Sequence, residues 1–288
     1  MAGINKGDSP VSRITVGDNN VSGVYKGDTL IWQGDTQYSD PLWGDVIFLM
    51  PADNPSANNP DLTVKQPSGT TVTAYTEAGT GGNVVANRSK DGYNGLEIGK
   101  PVNQTSAAFC ALLYFLTGSN QSPYFAASTP FTIEFWLYYA GSTIIEGGAV
   151  DYTAYPVVSL GTGTYRFEAK SRAGVTSPRS AFYYSTAGPE NTSPETVVGQ
   201  WQHHAVVRDS GNVIKYYIDG NESSASTTST AQMGSNSSSK PVGFGGFVDI
   251  YLRQFGCNAI VRQIRYTKAA RYTANFTPYQ RFYYPGIS

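Results

Sequence analysis

The chain has 288 residues, and its 20 Lys and Arg nearly balance its 21 Asp and Glu, leaving a formal net charge of -1. That balance excludes a protein that grips nucleic acid through its phosphates, which requires a clear surplus of cations. Charged residues make up only 14% of the chain, against roughly 25% in an average globular domain. The surface is therefore expected to be mostly neutral and polar, while 13% aromatics, including 21 Tyr, supply a core and exclude an intrinsically disordered chain. The longest apolar run, Ala107 to Leu116, is ten residues, too short to span a bilayer. The opening residues Met1 to Asp8 lack an apolar stretch, so no secretory signal and no membrane insertion are expected.

In chain order, the first element is a repeat. Gly-Asp recurs at Gly7-Asp8, Gly17-Asp18 and Gly27-Asp28, a period of ten, and Val11-Ser12-x-Ile14 returns as Val21-Ser22-x-Val24. The period is too short for a helical repeat and suits a small β-meander over residues 1–36, with strands near Arg13–Val16, Val21–Tyr25 and Leu30–Trp32. Such a ribbon is marginal alone, so it is expected to act as a docking or oligomerisation element. Residues 37–40 form a linker within a polar stretch, and 41–288 read as one β-rich domain.

Asp45 to Met50 is a short apolar run that suits a buried strand, and residues 51–69, rich in Pro, Asn and Ser, read as loop. Phe131 to Tyr138 and Trp201 to Arg208 alternate with period two. The second is followed by a turn at Asp209–Asn212, a strand from Val213 to Ile218 and a further turn at Asp219-Gly220, a hairpin signature. Residues 221–240 are a Ser/Thr-rich loop, and a last strand, Ala259 to Thr267, precedes a Tyr-rich tail. No window carries a helical stripe, so the expected fold class is an all-β antiparallel sandwich.

Five segments between about 41 and 280 resemble the laminin-G-like (concanavalin A-like) jelly roll as it occurs in bacteriophage virion proteins. They are Asp40-Pro41-Leu42-Trp43-Gly44-Asp45-Val46-Ile47-Phe48-Leu49; Leu113-Tyr114-Phe115; Phe131-Thr132-Ile133-Glu134-Phe135-Trp136; Trp201-x-His203-x-Ala205-Val206-Val207-Arg208 with Tyr217-Ile218-Asp219-Gly220; and Ile264-Arg265-Tyr266-Thr267-Lys268 through Pro278. The leading Val24 to Trp32 is similar to a short segment common in phage tail and fibre proteins. The resemblance implies a jelly-roll sandwich preceded by the meander. Two positions depart from the family's pattern. Arg262 and Gln263 stand where acids are frequent, which puts a family calcium site in doubt, and His204 stands where an apolar residue is usual.

Candidate chemistry is sparse. Glycan hydrolysis needs two carboxylates roughly 5–9 Å apart, but Glu134 has no acid two or five residues on and reads as an outward or rim position. Glu146 with Asp151, Asp219 and Asp249 are possible calcium ligands that no spacing demands. His203 and His204 are adjacent, so a strand aims them at opposite faces; His203 reads as a satisfied core histidine. Cys110 and Cys257 read as small buried hydrophobes, the alternatives being a disulfide or a nucleophile. The pairs Tyr138-Tyr139, Tyr183-Tyr184, Tyr216-Tyr217 and Tyr283-Tyr284 could stack on sugars, one ring of each facing the core and the other solvent; none is singled out as a ligand residue.

The expected function is that of a non-enzymatic phage virion structural protein, a tail fibre or adhesin. It would be assembled in the host cytoplasm, docked to other virion proteins through residues 1–36, self-associated as a homotrimer, and would present a lectin-like domain to host surface polysaccharide. The alternatives are a capsid or tail decoration protein that binds only virion proteins, and a glycan hydrolase of the same fold.

Overall fold

The structure is a computed structural model. It describes residues 5–6, 9–10, 15–16, 19–20, 23–26, 29–33, 40–54, 60–67, 71–78, 84–99, 111–119, 123–141, 155–160, 166–170, 179–183, 196–223, 226–233, 242–245 and 258–279. Contacts divide the chain into two units, Met1–Trp43 with Phe282–Ser288, and Gly44–Arg281.

The first unit is built from three hairpins. β1 (Asn5–Lys6) pairs with β2 (Ser9–Pro10), β3 (Thr15–Val16) with β4 (Asn19–Asn20), and β5 (Gly23–Lys26) with β6 (Thr29–Gln33), all antiparallel. The innermost partners are Lys6 and Ser9, Val16 and Asn19, and Lys26 and Thr29. Among the described residues these pairs form three two-stranded antiparallel ladders, one for each ten-residue repeat.

A 3-10 turn, Trp43–Asp45, feeds β7 (Val46–Met50) of the second unit, buried along its whole length. There follow β8 (Val72–Glu77), β9 (Ala86–Lys90), β10 (Tyr93–Gly99), β11 (Leu112–Thr117), β12 (Phe131–Gly141), β13 (Tyr155–Leu160), β14 (Arg166–Lys170) and β15 (Arg179–Tyr183). The chain continues through β16 (Trp201–Arg208), β17 (Val213–Ile218), β18 (Asn221–Glu222), β19 (Thr227–Thr228), β20 (Val242–Phe244) and β21 (Asn258–Thr267). Every pairing is antiparallel. A nine-stranded sheet runs β18-β17-β16-β12-β21-β10-β9, with β7 also on β21 and β19 on β17; a six-stranded sheet runs β15-β14-β13-β20-β11-β8. Among the described residues there is no α-helix, and none long and apolar enough to cross a membrane. This is the all-β sandwich that the alternating patterns imply.

The sheets meet through the residues that alternation points inward. Phe131, Ile133, Phe135, Leu137 and Tyr139 of β12 join Val206 of β16, Tyr216 and Ile218 of β17, and Phe115 and Phe244 of the smaller sheet in one core. Phe48 stacks on Phe115 at 4.4 Å and on Tyr266 at 4.7 Å, and Phe135 meets Phe244 edge-on at 5.3 Å, so aromatic pairs bridge the layers. Arg208, with no exposed surface, enters this interior. Its guanidinium lies over the Phe131 ring and donates to the carbonyls of Ala126, Thr129, Ser229 and Ala231, tying two loops together.

Tight turns set the registers. Asp91-Gly92 and Asp219-Gly220 both have positive φ at each residue, 51° and 82° in the first and 50° and 75° in the second. They join Lys90 to Tyr93 and Ile218 to Asn221, the two-residue turn whose twist matches paired strands. At Gly220 a side chain is also excluded by space, since a Cβ would overlap the Phe276 carbonyl, while the Phe276 amide donates to Gly220 O at 3.0 Å. Gly220→Ala is expected to cost about 2–4 kcal/mol, from the left-handed backbone and the overlap together. Gly92→Ala, with open space around the Cβ, should cost only about 1 kcal/mol; equal losses in urea denaturation would refute the role of the Phe276 contact.

Candidate functional site

The outer face of the nine-stranded sheet carries the alternate residues that the core does not use. Register places Glu134 beside Ala205 and Arg265, Trp136 beside His203 and Arg262, and Tyr138 beside Trp201. Half of this face is closed and half is open, and the segment after β21 makes the difference. Residues 270–276 lie over the sheet, where Ala270, Tyr272 and Phe276 pack on Ala205, Val207 and Tyr217. Tyr272 and Phe276 stack on each other at 3.5 Å. Thr132 Oγ1 fastens the crossing by donating to Ala269 O and accepting from the Arg271 amide.

Under this cover Glu134 is fully buried, not at a rim as the sequence suggests. Its Oε1 accepts from Arg265 Nε at 2.8 Å and pairs with Arg265 Nη2 at 2.7 Å, with Arg271 Nε at 3.5 Å. Its Oε2 accepts from the Tyr272 hydroxyl at 2.7 Å and from His203 Nε2 at 3.2 Å. Since a carboxylate only accepts, His203 carries its proton on Nε2. Burial alone would raise the Glu134 pKa; the Arg265 charge, the His203 hydrogen bond and Arg271 outweigh it and hold the carboxyl at about 2. Burial and the facing carboxylate push the Tyr272 hydroxyl far above its ordinary value. A carboxylate so saturated neither gives up a proton near neutral pH nor reaches a substrate. His203 is fully buried, as a core histidine would be, but under the covering segment, against Tyr272 and Phe276, with Nε2 on Glu134.

His204 points the other way, into the core, stacked on Phe135 at 5.5 Å with Nδ1 hydrogen-bonded to the Tyr216 hydroxyl. Burial first, and then the neighbouring His203, depress its pKa to about 3, so it is neutral in the folded chain. Asp219, considered for calcium, accepts from the His203 amide at 2.8 Å and from Gln202 Nε2 at 3.4 Å. No group of three or more His, Cys, Asp or Glu among the described residues is arranged to hold a metal. Glu146, Asp151, Asp249, Cys110 and Cys257 lie outside the described residues, as do Tyr184 and the pair Tyr283-Tyr284.

The open half of the face is an aromatic platform. The Arg262 guanidinium lies 4.3 Å from the Tyr93 ring centre, 5.6 Å from that of Trp201 and 5.8 Å from that of Trp136, and is itself 6% exposed. Trp201 meets Tyr93 edge-on at 6.2 Å and Tyr138 at 5.7 Å, while its indole N–H donates to Lys90 O. Lys90 Nζ sits 5.3 Å from the Tyr138 ring centre; a hydrogen bond to Tyr138 and the charge of Asp91 raise its pKa. Tyr93, at 37% exposed, forms the outer lip. Of the tyrosine pairs, Tyr138-Tyr139 sends its rings to opposite faces, but neither reaches solvent as expected: Tyr139 lies in the core and Tyr138, against Trp201, is only 9% exposed. Tyr216-Tyr217 does not place a ring in solvent, because Tyr217 is covered by Tyr272 and Phe276. Tyr93, Lys90 and Arg262 escape a reading by tyrosine pairs; the Asp91-Gly92 hairpin signal would have placed two of them.

The ionic shifts carry a pH dependence. Both groups have folded pKa values below their ordinary ones of 6.5 and 4.5, so the unfolded chain takes up protons first. Stability is fully present above about pH 6.5 and is lost on acidification, from 6.5 toward about 3 through His204 and from 4.5 toward about 2 through Glu134. His204→Leu should flatten the upper part of this loss in denaturation measured against pH. A variant that still loses stability as steeply between 6.5 and 4.5 would contradict the assignment. Glu134→Gln should cost about 3–5 kcal/mol near neutral pH, since it leaves buried arginines uncompensated.

Residues 114–246 match the family Laminin_G_3, described as the concanavalin A-like lectin/glucanases superfamily. Comparison with curated protein sequences finds no match. Among solved structures, the chain is similar to the binding domain of Paraclostridial Mosquitocidal Protein 1, at 15% identity over 80% of this chain and 50% of that one, TM-score 0.48. It is similar to the botulinum neurotoxin serotype G binding domain, at 10% identity over 79% and 48%, TM-score 0.45. It is also similar to domain 4 of AbnA, a GH43 extracellular arabinanase from Geobacillus stearothermophilus solved with arabinotriose, at 12% identity over 78% and 93%, TM-score 0.44. The match spans about half the length of the toxin binding domains. Residues 114–246, within the second unit, are thus similar to a concanavalin A-like lectin/glucanase domain, and the described residues of that unit fold as antiparallel β-sheets packed face to face.

Proposed function

We propose that the chain is a non-enzymatic adhesin of a phage virion, whose sandwich binds host surface polysaccharide at the platform formed by Tyr93, Trp201, Tyr138 and Lys90. The observation that carries the reading is the contrast between the two halves of one sheet face. Where an acid faces outward, Glu134, it is buried and held by Arg265, Arg271, His203 and Tyr272. Where rings face outward, Tyr93 is left exposed and Trp201 half-buried, backed by Arg262. Sugar rings present C–H faces that stack on aromatics and hydroxyls that bind polar rims, and a shallow, rigid platform needs no chemistry beyond that. The superfamily matched over 114–246 includes both lectins and glucanases. The neutralised Glu134 favours the first over a hydrolase, which needs two reachable carboxyl groups.

The virion role rests on the sequence resemblance in the segments around Trp43, Trp136, His203 and Arg271 and in the leading Val24 to Trp32. The three repeated hairpins support a docking and self-associating role for residues 1–36. Isolated two-stranded ladders are marginal in water and gain stability when their open edges pair with another chain. A trimer would also convert weak single-site binding into avidity. Such an assembly would form in the host cytoplasm before the particle leaves the cell.

On a glycan array the full chain is expected to bind a bacterial surface polysaccharide, and Tyr93→Ala to weaken binding by about tenfold, the loss of one stacked ring at about 1.4 kcal/mol. Release of reducing sugar from the bound polysaccharide would overturn the non-enzymatic reading. Deleting residues 1–36 should leave a folded sandwich that no longer joins particles; incorporation of the truncated chain would overturn the docking assignment.

A further inference from the structure

One irregularity in β21 opens a recess that the platform does not use. Gln263 has φ of 52° and breaks the register. On its C-terminal side β21 pairs with β7, from Ile264 with Met50 onward; on its N-terminal side it pairs with β10, from Val261 with Leu96 onward. Because the strand exchanges neighbours here, the chain leaving β7 must turn out of the sheet just where the β9–β10 hairpin begins. Residues 51–54 make that turn and are fixed on both sides. The Gln263 amide donates to Pro51 O at 2.9 Å, its side chain donates to Asp53 Oδ2 at 2.9 Å, and Asn94 Nδ2 donates to Asp53 O at 3.3 Å. Ala52 pays for the turn with a φ of 52° in a non-glycine residue, the kind of strain that surrounding structure must hold in place.

Between this loop and the hairpin lies a recess of about 150 Å³, lined by Ala52, Asn54, Asn87, Arg88, Ser89, Asn94 and Gly95. Asn87 Oδ1 is engaged by the Asp61 amide at 2.7 Å, and Arg88 by Glu97, so the side walls are preset. The lining holds three amide side chains and a hydroxyl and no carboxylate, which suits neither a divalent cation nor an apolar ligand. Amides and hydroxyls offer donors and acceptors side by side, the complement of a sugar's hydroxyl groups, each of which does both.

We infer that this recess is a second carbohydrate subsite, which takes one neutral pyranose residue through its hydroxyls. The inference rests on the glycan-binding reading and adds a place and a ligand class to it. Asn87, Ser89 and Asn94 face the recess, while Tyr93 of the same hairpin faces the platform, so the two sites lie on opposite faces of β9–β10.

The test is saturation-transfer NMR of the full chain with the methyl glycosides of glucose, galactose and mannose, comparing wild type, Ser89→Leu and Tyr93→Ala. Ser89 is exposed on an edge strand, so its substitution should leave the melting temperature unchanged. Asn94→Asp, which puts a charge in the recess without adding bulk, is the second variant. The expected result is transfer to at least one glycoside in the wild type, retained in Tyr93→Ala and weakened about tenfold in both recess variants, the worth of one or two hydrogen bonds. Transfer that survives in both recess variants but falls in Tyr93→Ala would overturn the recess and leave the glycan-binding reading standing. Absence of transfer to every neutral glycoside would overturn the recess as well, and the array result on polysaccharide would then decide the broader reading separately.

Discussion

The buried carboxylate of Glu134 is the constraint around which the outer sheet face is organised. A charge taken out of water must be compensated several times over. Here the compensation comes from β21 through Arg265, from β16 through His203, and from the covering segment through Tyr272 and Arg271. The same interactions that neutralise the acid therefore hold residues 270–276 against Ala205, Val207 and Tyr217. Cover and charge depend on each other: without the segment the ion pair would be solvated and weak, and without the ion pair the segment would lose its strongest polar tie to the sheet.

That coupling divides one surface into a covered part and a more open one. Beyond the reach of the cover, Trp136, Tyr138 and Trp201 face outward from the same strands, and the Arg262 guanidinium lies among the rings. In the interior Arg208 is likewise held by carbonyls from two loops and by the Phe131 ring. In a chain with so few charged residues, those that are buried serve as ties between segments distant in sequence, and the surface left for a partner is neutral and polar.

Much of this was readable from the residues alone. Alternation in Phe131–Tyr138 and Trp201–Arg208 fixed two central strands and the face of each residue, and Asp219-Gly220 marked a turn with positive φ at both positions. The opposed directions of His203 and His204 follow from pleating alone. By contrast, the reading of Glu134 as a rim residue failed, because period two tells which face a side chain takes but not whether a later segment covers that face. The N-terminal repeat was legible in its ten-residue period, and among the described residues each copy carries one antiparallel pair. The strand from Arg166 to Lys170 and its neighbours carry no clear alternation and stayed out of reach.

The class of the fold, the low charge, the two-residue turns and the inward set of aromatics were legible in the residues alone, because each depends on composition or on residues within a few positions of one another. That Glu134 is sealed, that Tyr93, Arg262 and Trp201 converge, and that Gln263 parts β7 from β10 to leave a recess came from long-range packing. Those features join positions from 52 to 272, and antiparallel register, which sets their distances, is a property of paired strands that no single strand contains.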